Sequence, residues 1–158
     1  KTAPALGSPR RRATLSSMPS THRFFDHTGD FGAELRAPTR AALYEEVAPA
    51  FLSLLLDDPA AVEAREATPL EARGVDATDL LVALGNELLF RFEAEGWLAA
   101  RLAIDELAGD RLRGTAHGEP FDPARHPVAR PVKAVTRHGA EVARGPDGAW
   151  QARLVFDL

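Results

Sequence analysis

At Gly96 the spacing of the apolar residues changes from helical to alternating, and that change constrains the fold more than any other feature. Upstream, Leu81, Leu84, Leu88 and Phe92 recur at helical spacing. Downstream, Leu98, Ala100, Leu102 and Ile104 alternate with Ala99, Arg101, Ala103 and Asp105. The first pattern buries one side of a helix, and the second buries one face of a strand. Asp76 is placed to cap the helix, with Asp79 three residues on near the positive end of its dipole, and Gly96 ends it. A helix followed at once by a strand needs a sheet to pack on.

The remaining segments supply that sheet. Gly109-Asp110 predicts a turn, with Leu112, Gly114 and Ala116 on a partner strand. A loop bearing Pro120, Pro123 and Pro127 leads to a further strand in VKAVTRHGAEVA. Pro146-Asp147-Gly148 turns the chain into WQARLVFDL, where Trp150, Ala152, Leu154 and Phe156 share a face. Nearer the start, short strands are expected from Arg23 and around Ala33 to Leu35, with DHTGDFG, residues 26–32, as the loop between them. Thr39 reads as the cap of one helix carrying Leu43, Val47, Ala50, Phe51 and Leu54 and ending near Asp57-Asp58-Pro59. Pro49 falls inside it and predicts a kink. Residues 62–74 contain Pro69 and read as an edge strand. The order predicts a single α+β domain, two amphipathic helices packed on largely antiparallel β-sheet.

Charge and composition narrow the function. The 158-residue chain has no cysteine, which excludes disulfides, zinc–cysteine sites and thiol catalysis. No apolar run approaches the roughly 20 residues of a membrane span. The net charge is −4, yet the first 17 residues carry Lys1, Arg10, Arg11 and Arg12 and no acid, leaving −8 for the rest. Residues 1–20 read as a disordered basic leader with Met18 as a start codon within it, and residues 21–158 as the folded domain. So acidic a domain repels phosphate backbones, which argues against direct, sequence-specific nucleic-acid binding.

The chemistry concentrates in DHTGDFG. Its glycines disfavour a helix, and Asp26 and Asp30 disfavour a buried strand. The stretch reads as a loop or strand end that holds a cation. Carboxylates favour Ca²⁺ or Mg²⁺, and a histidine shifts the choice toward Mn²⁺ or Zn²⁺. Asp30, Asp157 and a terminal carboxylate on Leu158 would supply three anionic groups from opposite ends of the chain. Other chemistries lack support. His22, His117 and His126 have no zinc-hydrolase spacing, there is no P-loop, and Ser16, Ser17, Ser20 and Ser53 lack a nucleophile-elbow context. Lys133 stands out because 17 of the 19 basic residues are arginine and only Lys1 and Lys133 are lysine. A compact ammonium sits differently from a guanidinium beside a metal or phosphate.

From about Arg23 to Leu158 the chain resembles the archease family. The resemblance is carried by His27-Thr28-Gly29-Asp30-Phe31-Gly32, by Asp79-Leu80-Leu81 with Asn86-Glu87-Leu88-Leu89, by the expected turn His117-Gly118-Glu119, and by Asp122 through His126. Val132-Lys133-Ala134-Val135-Thr136-Arg137-His138 and the ending Trp150 to Asp157-Leu158 complete it. Gly29 and Phe31 stand where the family has Ala and Ile, and Arg137 where it has Tyr. The resemblance implies a cytoplasmic, non-catalytic activator of an RtcB-type RNA ligase, promoting guanylylation of the ligase in tRNA splicing and RNA repair. It implies a divalent cation, calcium foremost, on Asp30, Asp157 and Leu158, with His27, Lys133 and His138 near the ion or the ligase. A small metal-dependent hydrolase using Asp30 and Asp157 with His27 as base, and a general chaperone, are the alternatives.

Overall fold

The computed structural model describes residues 18–27 and 29–158, with His27 through its backbone alone. The basic stretch before Met18, Thr28 and the His27 side chain lie outside the described residues. Four strands form the larger sheet: β1 (Thr21–His27), β2 (Asp30–Ala37), β6 (Ala134–Arg144) and β7 (Trp150–Asp157), in the order β1-β2-β7-β6. Three form the smaller: β3 (Glu66–Arg73), β4 (Trp97–Leu107) and β5 (Arg111–Pro120), in the order β3-β5-β4. Every pairing is antiparallel. Helices α1 (Arg40–Glu45), α2 (Val47–Leu55) and α3 (Ala77–Glu95) pack between them. Helix α1 meets β2, β7 and β4, and α3 meets β6, β3 and β4. The α+β expectation holds, with the sheet divided in two.

The expected helix from Thr39 is broken at Glu46 rather than kinked at Pro49. Thr39 caps α1, its Oγ1 accepting the Ala42 N–H at 3.1 Å. The chain restarts at Val47, so Pro49 falls in the first turn of α2, where a missing N–H costs nothing. Helix α2 buries Val47, Ala48, Ala50, Phe51, Leu52, Leu54 and Leu55, since it has neighbours almost all round. In α3 the expected signals act as read. Asp76 accepts the Asp79 N–H at 2.8 Å, the Asp79 carboxylate accepts the Val75 N–H at 2.9 Å, and Gly96 closes the helix at φ 60°. Its Asn86 side chain pairs with both the N–H and the C=O of Val135, covering the free edge of β6.

Two expectations about strands are corrected. DHTGDFG is not a seven-residue loop. His27 pairs with Asp30, so only residues 28 and 29 connect β1 to β2, with Gly29 at φ 85°. Nor does β4 alternate cleanly, because its register against β5 shifts between Ala99 and Arg101 and again between Ile104 and Glu106. Trp97, Leu98 and Ala99 are all buried in consequence. Glycines face both irregularities. A Cβ on Gly118 would lie 1.8 Å from the Leu98 carbonyl oxygen, and one on Gly114 2.0 Å from that of Ala103. His117-Gly118-Glu119, expected as a turn, is thus mid-strand, with Gly118 admitting the neighbouring backbone.

Because the obstructing atoms are main chain, Gly118→Ala must move β4 bodily. We expect it to destabilise the fold by about 3 kcal/mol, read from the denaturant midpoint at an unchanged m-value.

Candidate functional site

The hairpin of β1 and β2 delivers Asp30 to the end of the larger sheet. There β2 lies against β7 in the register Phe31↔Phe156, Ala33↔Leu154, Leu35↔Ala152. Ala33, Leu35, Leu154 and Phe156 are buried toward the helices. The alternate residues therefore face outward, and one further step of the register sets Asp30 opposite Asp157 on that outer face. Neighbours of this kind hold their Cβ atoms roughly 4.5–5.5 Å apart, and like charges so placed repel. Among the described residues neither carboxylate has an ion-pair or hydrogen-bond partner. A cation placed between the two carboxylates would relieve that repulsion.

The surroundings hold this strand end in place. Phe31, next to Asp30, packs inward against Phe24 at 5.7 Å between ring centroids and beneath the Arg130 guanidinium at 5.0 Å. Arg130 also donates to the Leu54 and Leu55 carbonyls at the end of α2, at 3.5 and 3.3 Å. The Lys133 N–H donates to the Asp157 carbonyl at 2.8 Å, so the loop before β6 is fastened to the same end. Lys133 has an exposed side chain, and Leu158 packs partly against the core. His138 is not opposite the acids. Ala134 takes that place, and His138 lies in the irregular stretch of β6 between Thr136 and Glu141. On the outer face behind the acids, the Phe25 ring lies over Gly32, and the Arg153 guanidinium is 4.9 Å from that ring.

The donor set suits a hard cation, with limits. Among the described residues no three His, Cys, Asp or Glu side chains gather closely enough to hold a metal. A bound ion would have the carboxylates of Asp30 and Asp157 and would complete its shell with main-chain oxygens, a Leu158 carboxylate or water, an all-oxygen set that fits Ca²⁺ or Mg²⁺.

A second polar cluster escaped the sequence reading. Glu119, 1% exposed, and His126, 0% exposed, are the charged or polar residues buried among the described ones. Glu119 accepts from Arg125 at 2.5 Å and from the Glu63 N–H at 3.2 Å, and Arg65 lies 3.5 Å away. His126 Nδ1 accepts the Asp122 N–H at 2.9 Å, so its proton sits on Nε2, 2.8 Å from Glu119 Oε1 but poorly aligned with it. Burial alone would raise the Glu119 pKa. The Arg125 hydrogen bond, the Glu63 N–H and the charges of Arg125 and Arg65 outweigh it and hold the carboxyl below its ordinary 4.5. Glu119 and His126 are seven positions apart with no shared period, so only the chain's return through Asp122 reveals the pair.

The chain is thus a small α+β domain of two antiparallel sheets, with two carboxylates at one strand end and a buried Glu119–His126 cluster at the start of the loop after β5. The archease protein family model matches residues 22–158, and the chain belongs to that family. Protein archease of Methanopyrus kandleri is 41% identical over 136 residues, covering 84% of this chain and 96% of that protein. Protein archease of Pyrococcus furiosus is 34% identical over 137 residues, covering 85% and 96%. The solution structure of protein 1598 of Methanobacterium thermoautotrophicum superposes with a TM-score of 0.70 at 32% identity, over 87% of this chain and 98% of that one. An archease crystal structure from Thermotoga maritima, described as a possible chaperone, has the same fold with a TM-score of 0.60 at 19% identity, over 85% and 94%.

A carboxyl held below its ordinary pKa contributes stability above that ordinary value and loses it as pH falls through the lowered one. Unfolding by urea across a pH series is therefore expected to show Glu119-dependent stability fading below 4.5. Arg125→Ala lets the Glu119 pKa move back up, so it should shrink that acid-side loss and cost about 2 kcal/mol at neutrality, less than a fully buried pair because Arg125 is partly in water.

Proposed function

We propose that this protein is a metal-binding activator of an RtcB-type RNA ligase, an accessory protein that promotes guanylylation and repeated turnover of the ligase in tRNA splicing and RNA repair. The observation that carries this reading is the β2–β7 register, which ends at Phe31↔Phe156 and, continued by one step, sets Asp30 across from Asp157, with neither acid in an ion pair among the described residues. The ion is divalent, Ca²⁺ foremost with Mg²⁺ or Mn²⁺ as substitutes, on Asp30, Asp157 and the carboxylate of Leu158. When bound, it supplies positive charge to offset phosphate oxygens during phosphoryl transfer to a histidine.

The protein's own residues act by position. Asp30 and Asp157 present their oxygens from two hydrogen-bonded strands, so the site loses little freedom when it loads. Lys133, fastened through its N–H to Asp157, carries an ammonium toward the partner, and His27 and His138 join that contact surface. The −8 balance of the chain after residue 17 suits docking against the basic RNA and nucleotide cleft of a ligase. It does not suit gripping RNA. A cytoplasmic location belongs to the same reading, and no helix among the described residues is long and apolar enough to cross a membrane.

The alternatives have less support. A metal hydrolase needs a substrate cleft at the acids, whereas the groove of about 660 Å³ on this molecule is lined farther along the sheet by Arg23, Glu34, Arg36, Gln151 and Arg153. A general chaperone needs a continuous apolar patch, and the exposed large apolar side chains among the described residues, Val75, Phe90 and Val128, are scattered.

Cation titration calorimetry and a guanylylation assay with substoichiometric protein test this. Asp30→Asn keeps the strand position and should weaken Ca²⁺ affinity at least about tenfold, a loss of 1.4 kcal/mol. It should also remove stimulation of the ligase. Full stimulation by that variant would end the proposal. A peptide tag appended after Leu158 should weaken the ion in the same assay, and unchanged affinity would remove Leu158 from the ligand set.

A further inference from the structure

Three groups far apart in the sequence meet between β1 and the break that separates α1 from α2. His22 points inward from β1, Glu46 occupies the break, and Ser53 lies on α2. His22 Nδ1 is 2.7 Å from Glu46 Oε1, and His22 Nε2 is 3.2 Å from Ser53 Oγ. A carboxylate only accepts, so Nδ1 bears the proton and donates it. Nε2 then presents a lone pair to the Ser53 hydroxyl, which donates to it. Hydroxyl, Nε2, Nδ1, carboxylate is the order of atoms by which an imidazole activates a serine.

The setting preserves that order. Glu46 is 13% exposed and His22 21%, so the carboxylate is shielded while the imidazole reaches solvent. The Phe24 ring meets the His22 ring edge-on at 5.6 Å and limits its rotation. Ser53 is itself partly exposed. Glu46 is available because it lies at the helix break, with φ −67° and ψ −14°, and its side chain caps neither helix.

We propose that Ser53 is an acyl-acceptor site, with His22 as its general base and Glu46 as the residue that orients the imidazole. The donor class is small activated esters, thioesters or phenyl esters. Small, because Glu46 and His22 are largely buried and Ser53 is only half-exposed. Activated, because Ser53 is interior to α2 and its N–H is spent within the helix, leaving no donor of its own for an oxyanion. In the reaction Ser53 Oγ forms a bond to the acyl carbon while its proton passes to His22 Nε2. The bond from that carbon to the leaving group breaks, and the leaving group takes the proton from His22. Without oxyanion donors water removes the acyl group slowly, so the ester on Ser53 accumulates. This chemistry lies on the inner side of β1, away from the outward acid pair, and stands or falls independently of cation binding.

Incubating the full chain with p-nitrophenyl acetate and mapping the product by peptide mass spectrometry tests it. One acetyl group is expected on Ser53. His22→Phe keeps a ring against Phe24 and should slow the acetylation about 100-fold or more. Glu46→Gln should slow it less, and circular dichroism establishes that each variant is folded. Acetylation confined to Lys133 and the chain's other amines would overturn the proposal, as would Ser53 acetylation at full rate in folded His22→Phe.

Discussion

The antiparallel pairing of β2 with β7 is the constraint on which the rest of the structure depends. It joins residues 31–37 to residues 150–156, so nearly the whole chain must close as a loop before the first of these bonds forms. The return on that entropy is burial. Ala33, Leu35, Leu154 and Phe156 turn inward together and are sealed by the helices. The same alternation turns Asp30 and Asp157 outward together. A slip of one residue would send the acids into the core and the phenylalanines into water, so hydrophobic burial holds the acid pair in register.

The same packing explains features that look like local defects. Breaking the helix at Glu46 lets α1 reach β2 and β7 while α2 runs against α3 and β4, and it frees Glu46 to meet His22. The irregularities of β4 follow from Gly114 and Gly118, which let two backbones approach more closely than side chains allow. Burying Glu119 beside His126 is tolerated because Arg125 and the Glu63 N–H reach the carboxylate, while the Asp122 N–H satisfies Nδ1 of the imidazole and leaves Nε2 beside Glu119 without a well-aligned partner. Each departure from regular geometry is offset by contacts from another part of the chain.

How much of this was legible depends on the range of the signal. The cap at Asp76, the end at Gly96 and the inward face of Trp150 to Phe156 were readable, because each rests on residues within a turn or a strand of one another. DHTGDFG was misread as a loop because its polar residues look unfit for a strand. At a strand end open to solvent they are not, and Asp26, His27, Asp30 and Gly32 all take part in pairing. Pro49 was located correctly but its consequence was not, since its effect depends on where the helix restarts. Asp30 and Asp157 were singled out by residue type and by resemblance, yet their adjacency came only with the strand register. The pairing of His22 with Glu46 and Ser53, 24 and 31 positions away, left no trace in spacing.

The sequence by itself determined most of the elements, their order and inward faces, and the family motifs. Apolar period, caps and turn residues act over a few positions, so they can be read without knowing what lies across the fold. Tertiary structure alone decided that the strands divide into two sheets with helices between them. It also decided that one pair of acids faces outward, unpartnered among the described residues, while another acid is buried against a histidine. Those outcomes depend on which distant surfaces fit together when the chain closes, and no local interaction carries that information.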